Sequence, residues 1–240
     1  MISDVPGDDP AMIGSGPTVG DGSSAADALA IAERWGIALP DSARAVLDAA
    51  TGVIPPGDAR LQKVENRVVA APAQSLAAAA DLARAQGFEV RMLGDDLGGE
   101  AREVAAQHAA MALAAQAGLG ADDPPLILMS GGELTVTRRG AGVGGPNAEY
   151  ALALALALNG APGIHAIACD TDGVDGAAEV AGAVIGPDTL MRAADARCDP
   201  RTALAQNDAH SFFAAIGDQV VTGPTLTNVN DFRAILIRRA

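Results

Sequence analysis

The sequence predicts an α/β protein in which a mostly parallel sheet has helices on both faces, a three-layer α/β/α arrangement. Short apolar runs with the character of strands alternate along the chain with Ala- and Leu-rich runs with the character of helices. This order is typical of parallel βαβ units with right-handed crossovers. Residues 140–145, a glycine-rich loop, precede the most apolar helix, which we expect to be buried because it is apolar on every side.

Composition excludes several classes of protein. With 240 residues and 49% hydrophobic residues, the chain can bury a substantial core. Polar residues interrupt every candidate membrane span, and residues 1–20 lack the features of a signal peptide. A net charge of −14 with 2% aromatic residues argues against nucleic acid or anionic membrane as a partner. Two cysteines, Cys169 and Cys198, are too few for a disulfide framework and favour a reducing cytoplasm.

The first half of the chain contains four predicted helices and two predicted strands. Ser24 is a possible cap for the first helix, and Gly36 ends it. In order, we predict helices at 23–36 and 41–50, a loop at 53–60, a strand at 67–71, a helix at 75–86, a strand at 88–93, an acidic turn at 94–98 and a helix at 100–117.

Residues 1–20 are rich in Gly, Pro and Asp, as expected of a loop that follows a buried strand. Only Met1 and Ile2 precede the loop, whereas a strand usually needs about five residues. One interpretation is a disordered N-terminal tail. The other is that the chain begins partway through a fold.

The second half follows a candidate linker at 118–125, where we place a boundary between two parts of the molecule. Beyond the linker we predict strands at 126–130, 134–138, 164–169, 183–185, 220–221 and 233–237, helices ending at 158 and spanning 188–194 and 209–216, and a polar loop at 222–231.

The sequence Gly-Ala-Gly-Val-Gly-Gly at 140–145 fits G-x-G-x-x-G between an extended segment and a helix. Backbone amides in such a loop can surround a phosphate, and Asp170 lies where a ribose-binding acid would follow. On its own the motif supports a dinucleotide-dependent dehydrogenase. A tight turn without a ligand is the alternative. Lys63 is the single lysine, so a phosphate site would depend mainly on amides, arginine or a metal.

Residues 170–175, Asp-Thr-Asp-Gly-Val-Asp, place three carboxylates in a flexible segment after a strand. Oxygen-rich clusters of this kind suit Mg²⁺ or Ca²⁺, although Ala181 at the twelfth position excludes an EF-hand. An acidic surface turn is the alternative.

Residues 222–231 are polar but carry almost no charge, which suits hydrogen bonding to a polyhydroxy substrate. Asp231 has an alternative role as a cap. His165 and His210 have no Ser or Cys partner at a suitable spacing, and we interpret both as structural.

Taken together, these motifs resemble the glycerate 2-kinase family, the type II glycerate kinases with a C-terminal MOFRL domain, often labelled hydroxypyruvate reductase. The matching stretches occur in family order along nearly the whole chain. They are residues 3–10, 15–18, 65–72, 93–105, 130–137, 140–150, 170–176 and 222–237.

The resemblance implies a remnant of a Rossmann-like N-terminal domain at 1–120 and a MOFRL domain at 121–240. It implies ATP-dependent phosphorylation of D-glycerate at the 2-hydroxyl with Mg²⁺, in a cleft between two α/β domains. Partners would be glycerate and a nucleotide, with a possible homo-oligomer. We expect residues 3–18, 142–147, 170–175 and 222–231 to converge on one cleft.

Site residues follow from the matched motifs. Catalysis and metal binding are assigned to Asp170 and Asp172. Nucleotide binding is assigned to Ser130, Gly131, Gly132, Glu133, Gly142, Gly144, Gly145 and Asn147. Substrate binding is assigned to Ser15, Gly16, Thr222, Gly223, Thr225, Asn228, Asn230 and Asp231.

The sequence also departs from the family pattern. The N-terminal half, with a lysine thought to act at the active site, is missing, and Pro146 and Ala148 stand where the family often has Arg and Gln. We therefore expect weak ligand binding and little turnover from this chain alone. The alternatives are an NAD(P)H-dependent hydroxypyruvate reductase and a non-catalytic binding fragment.

Overall fold

The computed structural model describes residues 1–240, and the chain forms two compact units. The first comprises Met1 and residues 7–69, and the second comprises residues 2–6 and 70–240. The predicted boundary at 118–125 does not separate these units. That segment connects a helix to a strand inside the second unit, because elements before and after it share one sheet.

The first unit contains two helices, α1 (Ala25–Arg34) and α2 (Asp41–Asp48), and two short 3-10 turns. Ser24 caps α1 as predicted: its hydroxyl accepts from the Asp27 amide, and the Asp27 carboxylate accepts from the Ser24 amide. Few side chains of this unit are buried, and Trp35 remains 70% exposed.

The second unit is built on one six-stranded sheet with the order β1-β2-β6-β3-β4-β5. Its strands are β1 (Glu89–Gly94), β2 (Leu126–Ser130), β3 (Ile164–Asp170), β4 (Gly182–Ile185), β5 (Gln219–Val220) and β6 (Asp231–Ile237). The α/β class is confirmed, but the mostly parallel sheet is not. Only β1 and β2 pair in parallel, and the other four pairings are antiparallel.

The position of β6 explains this difference. The last strand of the chain inserts between β2 and β3 and is antiparallel to both, so β2 and β3 run in the same direction without touching. The carboxyl ends of β1, β2 and β3 therefore lie at the same sheet edge as the start of β6. This edge brings the predicted acidic and polar segments of the second unit together.

Helices cover both faces of the sheet. Helices α4 (Ala101–Gly118) and α5 (Pro146–Leu158) pack on one face, and α3 (Pro72–Ala85) packs on the other face over β1 and β2. Helix α5 is buried on almost every side, as its apolar composition predicts. The remaining helices are α6 (Thr189–Asp195), α7 (Pro200–Ala205) and α8 (Ala209–Ile216).

Several predicted elements differ from the structure. The predicted strand at 134–138 is reduced to an isolated β-bridge between Thr135 and Glu100. The Glu100 carboxylate also accepts hydrogen bonds from the amide and the hydroxyl of Thr137. The predicted strand at 67–71 is likewise reduced to a parallel bridge between Ile2 and Ala70. Helix α7 has no counterpart in the prediction. None of the helices combines the length and apolarity that crossing a bilayer would require.

Candidate active site

Two aspartates face each other at the acidic edge of the sheet. Asp170 ends β3, Asp231 begins β6, and the antiparallel register places them directly opposite one another. The side chain of Asn147, in the first turn of α5, donates to the Asp231 carboxylate over 2.7 Å, and both residues are buried. Three segments far apart in sequence therefore meet at one point.

Asp175 caps the N-terminus of α5 from the predicted metal loop. Its two carboxylate oxygens accept from the backbone amides of Asn147 at 2.9 Å and Ala148 at 2.8 Å. His210 lies behind it, with Nε2 3.1 Å from the same carboxylate. The amides that a phosphate would use at this helix end are thus already paired within the chain.

Asp170 and Asp172 are half-buried, and neither forms an ion pair with a basic side chain. Burial raises the pKa of Asp170 to about 7, and the nearby carboxylates of Asp231 and Asp172 add to this rise. Such an environment disfavours a bare anion and favours a cation beside it.

The side chains at this edge can bind Mg²⁺ only if phosphates or water supply the remaining ligands. No group of three or more His, Cys, Asp or Glu side chains in the 240 residues is arranged to hold a metal ion. Mg²⁺ is commonly held by one or two carboxylates together with phosphates and water. Asp170 and Asp172 provide the carboxylate part of such a site, so the predicted metal ligands are compatible with the geometry.

The polar loop at 222–231 packs against the acidic loop at 170–175. Thr225 donates from its hydroxyl to the Thr171 carbonyl over 2.6 Å and from its amide to the Asp172 carbonyl over 3.0 Å. The Asn228 side chain reaches the Asp172 carboxylate at 3.5 Å. A side chain at Gly173 would collide with the backbone of Gly223, which explains the close approach of the two loops.

Asn230 extends the same cluster toward the N-terminal segment of the second unit. Its side-chain amide donates to the Asp4 carbonyl over 3.1 Å. The expected convergence is therefore observed for part of the predicted set, namely residues 3–6, 147, 170–175 and 225–231. Thr222 is exposed at the start of the loop and bonds only to the neighbouring Gly223 carbonyl.

Arg233 binds the predicted nucleotide turn at 130–133 through hydrogen bonds to its backbone carbonyls. The sequence had not indicated a role for this residue. The guanidinium of this buried arginine donates to the carbonyls of Gly131 and Gly132 and, over 2.9 Å, to the Asp231 carboxylate. It also lies 5.7 Å from the centre of the Tyr150 ring. The sequence does contain a signal for this role. Arg233 occupies an inward-facing position in the alternating pattern of β6, and a buried arginine needs several acceptors.

Within that turn, Ser130 is buried and Glu133 is exposed. Gly132 has φ of +89°, and a side chain there would collide with the backbone of Leu97. Only glycine suits this position.

The glycine loop at 140–145 uses half of its amides in hydrogen bonds within the chain. The amides of Gly140, Gly142 and Val143 donate to residues 206–208, and the amide of Asn147 donates to Asp175. Gly144 and Gly145 donate no hydrogen bond within the chain. They line a cavity of about 270 Å³ that also contacts the Arg138 side chain and Gly176. Of the predicted nucleotide-binding amides in this loop, these two remain available to an anion.

Ser15 and Gly16 belong to the first compact unit. Both have positive φ, and the Gly16 amide donates to the Ile13 carbonyl that ends a 3-10 turn. A side chain at Gly16 would collide with the backbone of Ala11. The motif that contains them thus forms a tight turn in that unit.

Two buried polar atoms at this end of α5, the side-chain oxygen of Asn147 and Nδ1 of His210, have no hydrogen-bond partner. The side-chain carbonyl oxygen of Asn147 is buried and accepts no hydrogen bond, although its amide nitrogen is 2.7 Å from Asp231 and 3.4 Å from Asp175. Buried acceptors without partners are rare and often mark functional sites.

Known proteins resemble this chain over almost its whole length. Residues 126–231 match the MOFRL family, and residues 1–48 match a domain of unknown function, DUF4147. A putative hydroxypyruvate reductase of Agrobacterium vitis is 53% identical over 99% of this chain and 54% of its own length. The D-glycerate 2-kinase of Thermotoga maritima is 33% identical over 96% of this chain and 54% of its own length.

A solved structure shows that the fold is similar as well as the sequence. The crystal structure of glycerate kinase from Thermotoga maritima matches 99% of this chain and 56% of that chain, with a TM-score of 0.88 at 32% identity. The chain therefore has the fold of about half of a glycerate kinase. The chain belongs to the glycerate 2-kinase family. It spans about half the length of the relatives compared here.

The MOFRL match begins at residue 126, near the predicted boundary at 120/121. The boundary of the MOFRL domain at 120/121 stays a prediction, because the two compact units of the structure divide near residues 69 and 70 instead.

Proposed function

We propose that this chain carries a site for the phosphorylation of D-glycerate at its 2-hydroxyl, with ATP as the phosphoryl donor. The observation that carries the proposal is the meeting of Asp170, Asp172, Asp231 and Asn147 at one sheet edge, next to loops of the same second unit. Phosphoryl transfer depends on positioned groups and on neutralised charge more than on covalent chemistry.

Asp170 and Asp172 are the proposed catalytic and metal-binding carboxylates. A bound Mg²⁺ would neutralise charge on the nucleotide phosphates. Asp231 does not share this role in the proposal, because Asn147 and Arg233 already occupy its two oxygens. Its function is instead to hold the first turn of α5 against the sheet edge.

Polar side chains of the loop at 222–231 are the proposed glycerate ligands. Asn228 and Thr225 are already oriented toward the acidic loop. Thr222, Gly223 and Asn230 complete the proposed set within this loop, whereas Asp231 is left out because both of its oxygens are paired. Hydroxyl and amide groups suit a small hydroxy acid because they can both donate and accept.

The proposed phosphate contacts are the unpaired amides of Gly144 and Gly145. Arg138 lines the same cavity, and its guanidinium donates to the carbonyls of Gly140 and Gly142. The turn at 130–133 is the second proposed nucleotide contact. An oligomer of identical chains and a reducing, cytoplasmic location belong to the same proposal, the latter because both cysteines are free.

A nicotinamide-dependent hydroxypyruvate reductase is the second candidate, and the name of the Agrobacterium relative is the observation in its favour. The hydrogen bonding at the start of α5 favours the reductase less than it favours the kinase. A dinucleotide fingerprint needs free amides at the start of the helix to bind a pyrophosphate, whereas Asp175 already pairs with two of these amides in α5.

The test measures binding and turnover with the purified protein. ATP with MgCl₂ and D-glycerate should bind weakly in calorimetry, and the little turnover expected of this chain should yield 2-phosphoglycerate in a coupled assay. Asp170→Asn should weaken Mg²⁺–ATP binding and abolish any turnover, because it removes a carboxylate from the proposed metal site. Asp195→Asn, an exposed aspartate on α6, is the matched control and should change neither quantity.

Protein that binds neither ATP nor D-glycerate contradicts the proposed function. Oxidation of NADH by hydroxypyruvate, with no effect of ATP, would instead establish the reductase.

A further inference from the structure

The turn between α7 and α8, residues 206–208, packs against the glycine loop and accepts hydrogen bonds from four amides of residues 139–143. The side-chain oxygen of Asn207 accepts from the amides of Arg139 at 2.7 Å and Gly140 at 3.0 Å. The Gln206 carbonyl accepts from the Gly142 amide at 2.9 Å, and the Asp208 carboxylate accepts from the Val143 amide at 2.9 Å. These four hydrogen bonds fix the path of residues 139–143.

The glycines of the loop fit this surface. A side chain at Gly140 would collide with the backbone of Gln206, and one at Gly142 would collide with Asp208. A side chain at Gly144 would come within 2.8 Å of the Asn207 carbonyl oxygen. A side chain at Gly145 would collide with Asp175. Close packing on residues 206–208 and on Asp175 therefore explains the G-x-G-x-x-G pattern in this chain.

Asn207 is itself held in one orientation. It is 4% exposed and its φ is +54°, a conformation that asparagine tolerates better than most residues. Its side-chain NH₂ donates to the Glu149 carboxylate over 2.8 Å, and the other oxygen of Glu149 accepts from the Arg102 guanidinium. A buried chain of contacts thus runs from α4 through α5 to the glycine loop.

We propose that Asn207 is a positioning residue for nucleotide binding. It holds residues 139–145 so that the amides of Gly144 and Gly145 point into the cavity beside Arg138. Asn207 makes no phosphate contact of its own, since both polar atoms of its side chain are already used. This inference rests on the proposed nucleotide site at the loop and adds the group that shapes it.

The first test is Asn207→Gly, which removes the side chain and keeps a backbone that suits positive φ. Asn159→Gly is the matched control: Asn159 has φ of +48° at the other end of α5, and its exposed side chain forms no hydrogen bond in the structure. Hydrogen exchange of a peptide covering 138–146 and the Kd for ATP with MgCl₂ are measured for both variants and the parent.

In Asn207→Gly the loop amides should exchange about tenfold faster, and the Kd for ATP should rise about tenfold, since two hydrogen bonds to the loop are lost. Asn159→Gly should match the parent in both measurements. Unchanged exchange in Asn207→Gly overturns the positioning role. Faster exchange with an unchanged Kd for ATP overturns its link to the nucleotide.

A compensating pair provides the second test. Asn207→Asp keeps the acceptor for the loop but sets two carboxylates against each other, so the Kd for ATP should rise. Adding Glu149→Gln supplies an amide that donates to the new carboxylate and still accepts from Arg102, so affinity should return toward the parent. A double variant no better than Asn207→Asp counts against the proposal.

The two proposals fail in different ways. If the parent protein binds no ATP, the proposed function is wrong, whereas the exchange rates still decide whether Asn207 holds the loop.

Discussion

At the scale of single residues, Arg233 does the most to organise the site. Its guanidinium joins the turn at 130–132 to Asp231, while Asp231 in turn holds Asn147 of α5. A buried charge of this kind is costly unless every group around it is paired. The arginine therefore stabilises a particular arrangement of loops at the sheet edge.

Arg233→Met should destabilise the protein by about 3–5 kcal/mol, because it leaves the buried carboxylate of Asp231 without its cation. Urea unfolding measures the loss. Arg67→Met removes an exposed ion pair with Glu65 and is the control, with an expected change below about 1 kcal/mol. Adding Asp231→Asn to Arg233→Met should recover part of the loss, and simple additivity of the two changes would contradict a buried ion pair.

His108 is a second residue whose environment has a measurable consequence. It is 5% exposed, and its Nδ1 lies 2.8 Å from the Tyr150 hydroxyl. Burial, with a smaller effect from the Arg233 charge, lowers the pKa of His108 to about 4. Between about pH 6.5 and 4 the unfolded chain therefore binds a proton at this position that the folded chain does not.

Stability should accordingly fall as the pH drops from 6.5 to 4, with His108 contributing up to about 3 kcal/mol of that fall. His108→Gln retains a hydrogen-bonding group but cannot take up the proton. The difference in unfolding free energy between parent and variant, measured at pH 7 and at pH 4.5, should shift in favour of the variant at the lower pH. A difference that does not change with pH would show that His108 titrates normally.

At the scale of elements, the glycine loop and the α7–α8 turn behave as one packed unit. The loop was predicted as a phosphate-binding fingerprint, and its sequence context did resemble one. In the structure four of its glycines lie against backbone or short side chains of other segments: Gly140, Gly142, Gly144 and Gly145. Packing against residues 206–208 and 175 thus explains the composition of the loop, and the anion role is confined to two amides.

Gly140→Ala should lower stability by about 1–3 kcal/mol, because its methyl group would collide with the backbone of Gln206, which cannot move like a flexible side chain. Thermal unfolding measures the change. Gly22→Ala is the matched control, since a methyl group there meets open space. Equal melting temperatures for the two variants would mean that the loop is free to move away from the turn.

At the scale of the whole molecule, both the net charge of −14 and the acidic sheet edge make the stability of the protein depend on salt. Like charges repel, so screening by salt should stabilise the protein in general. A divalent cation bound at Asp170 and Asp172 should add a specific effect by stabilising the folded state that holds it.

MgCl₂ should therefore raise the melting temperature more than NaCl at the same ionic strength. At ten times the Kd of the site, the extra stabilisation is about 1.4 kcal/mol. Asp170→Asn should remove the excess of MgCl₂ over NaCl while leaving the common salt effect, and Asp195→Asn should retain both. Equal effects of the two salts on the parent would exclude a Mg²⁺ site at these carboxylates in the absence of nucleotide.

The sequence alone determined the α/β class, most of the helices, the family and the motifs from which the site is drawn. These depend on local signals: Ser24 and Asp27 form a capping box within four residues, and the composition of α5 by itself requires burial. The clustering of 170–175 with 225–231 was also predicted, because both segments border strands whose ends were expected to meet.

Strand direction and the true partners of polar groups were decided only in the tertiary structure. Nothing local to residues 231–237 shows that β6 inserts between β2 and β3, yet this single pairing makes the sheet mixed and places Asp231 opposite Asp170. Likewise, the Gly140 amide of the glycine loop donates to Asn207, which lies 67 residues further along the chain. Pairing over such distances is set by the packing free energy of the whole sheet and its helices, and no short window of sequence contains it.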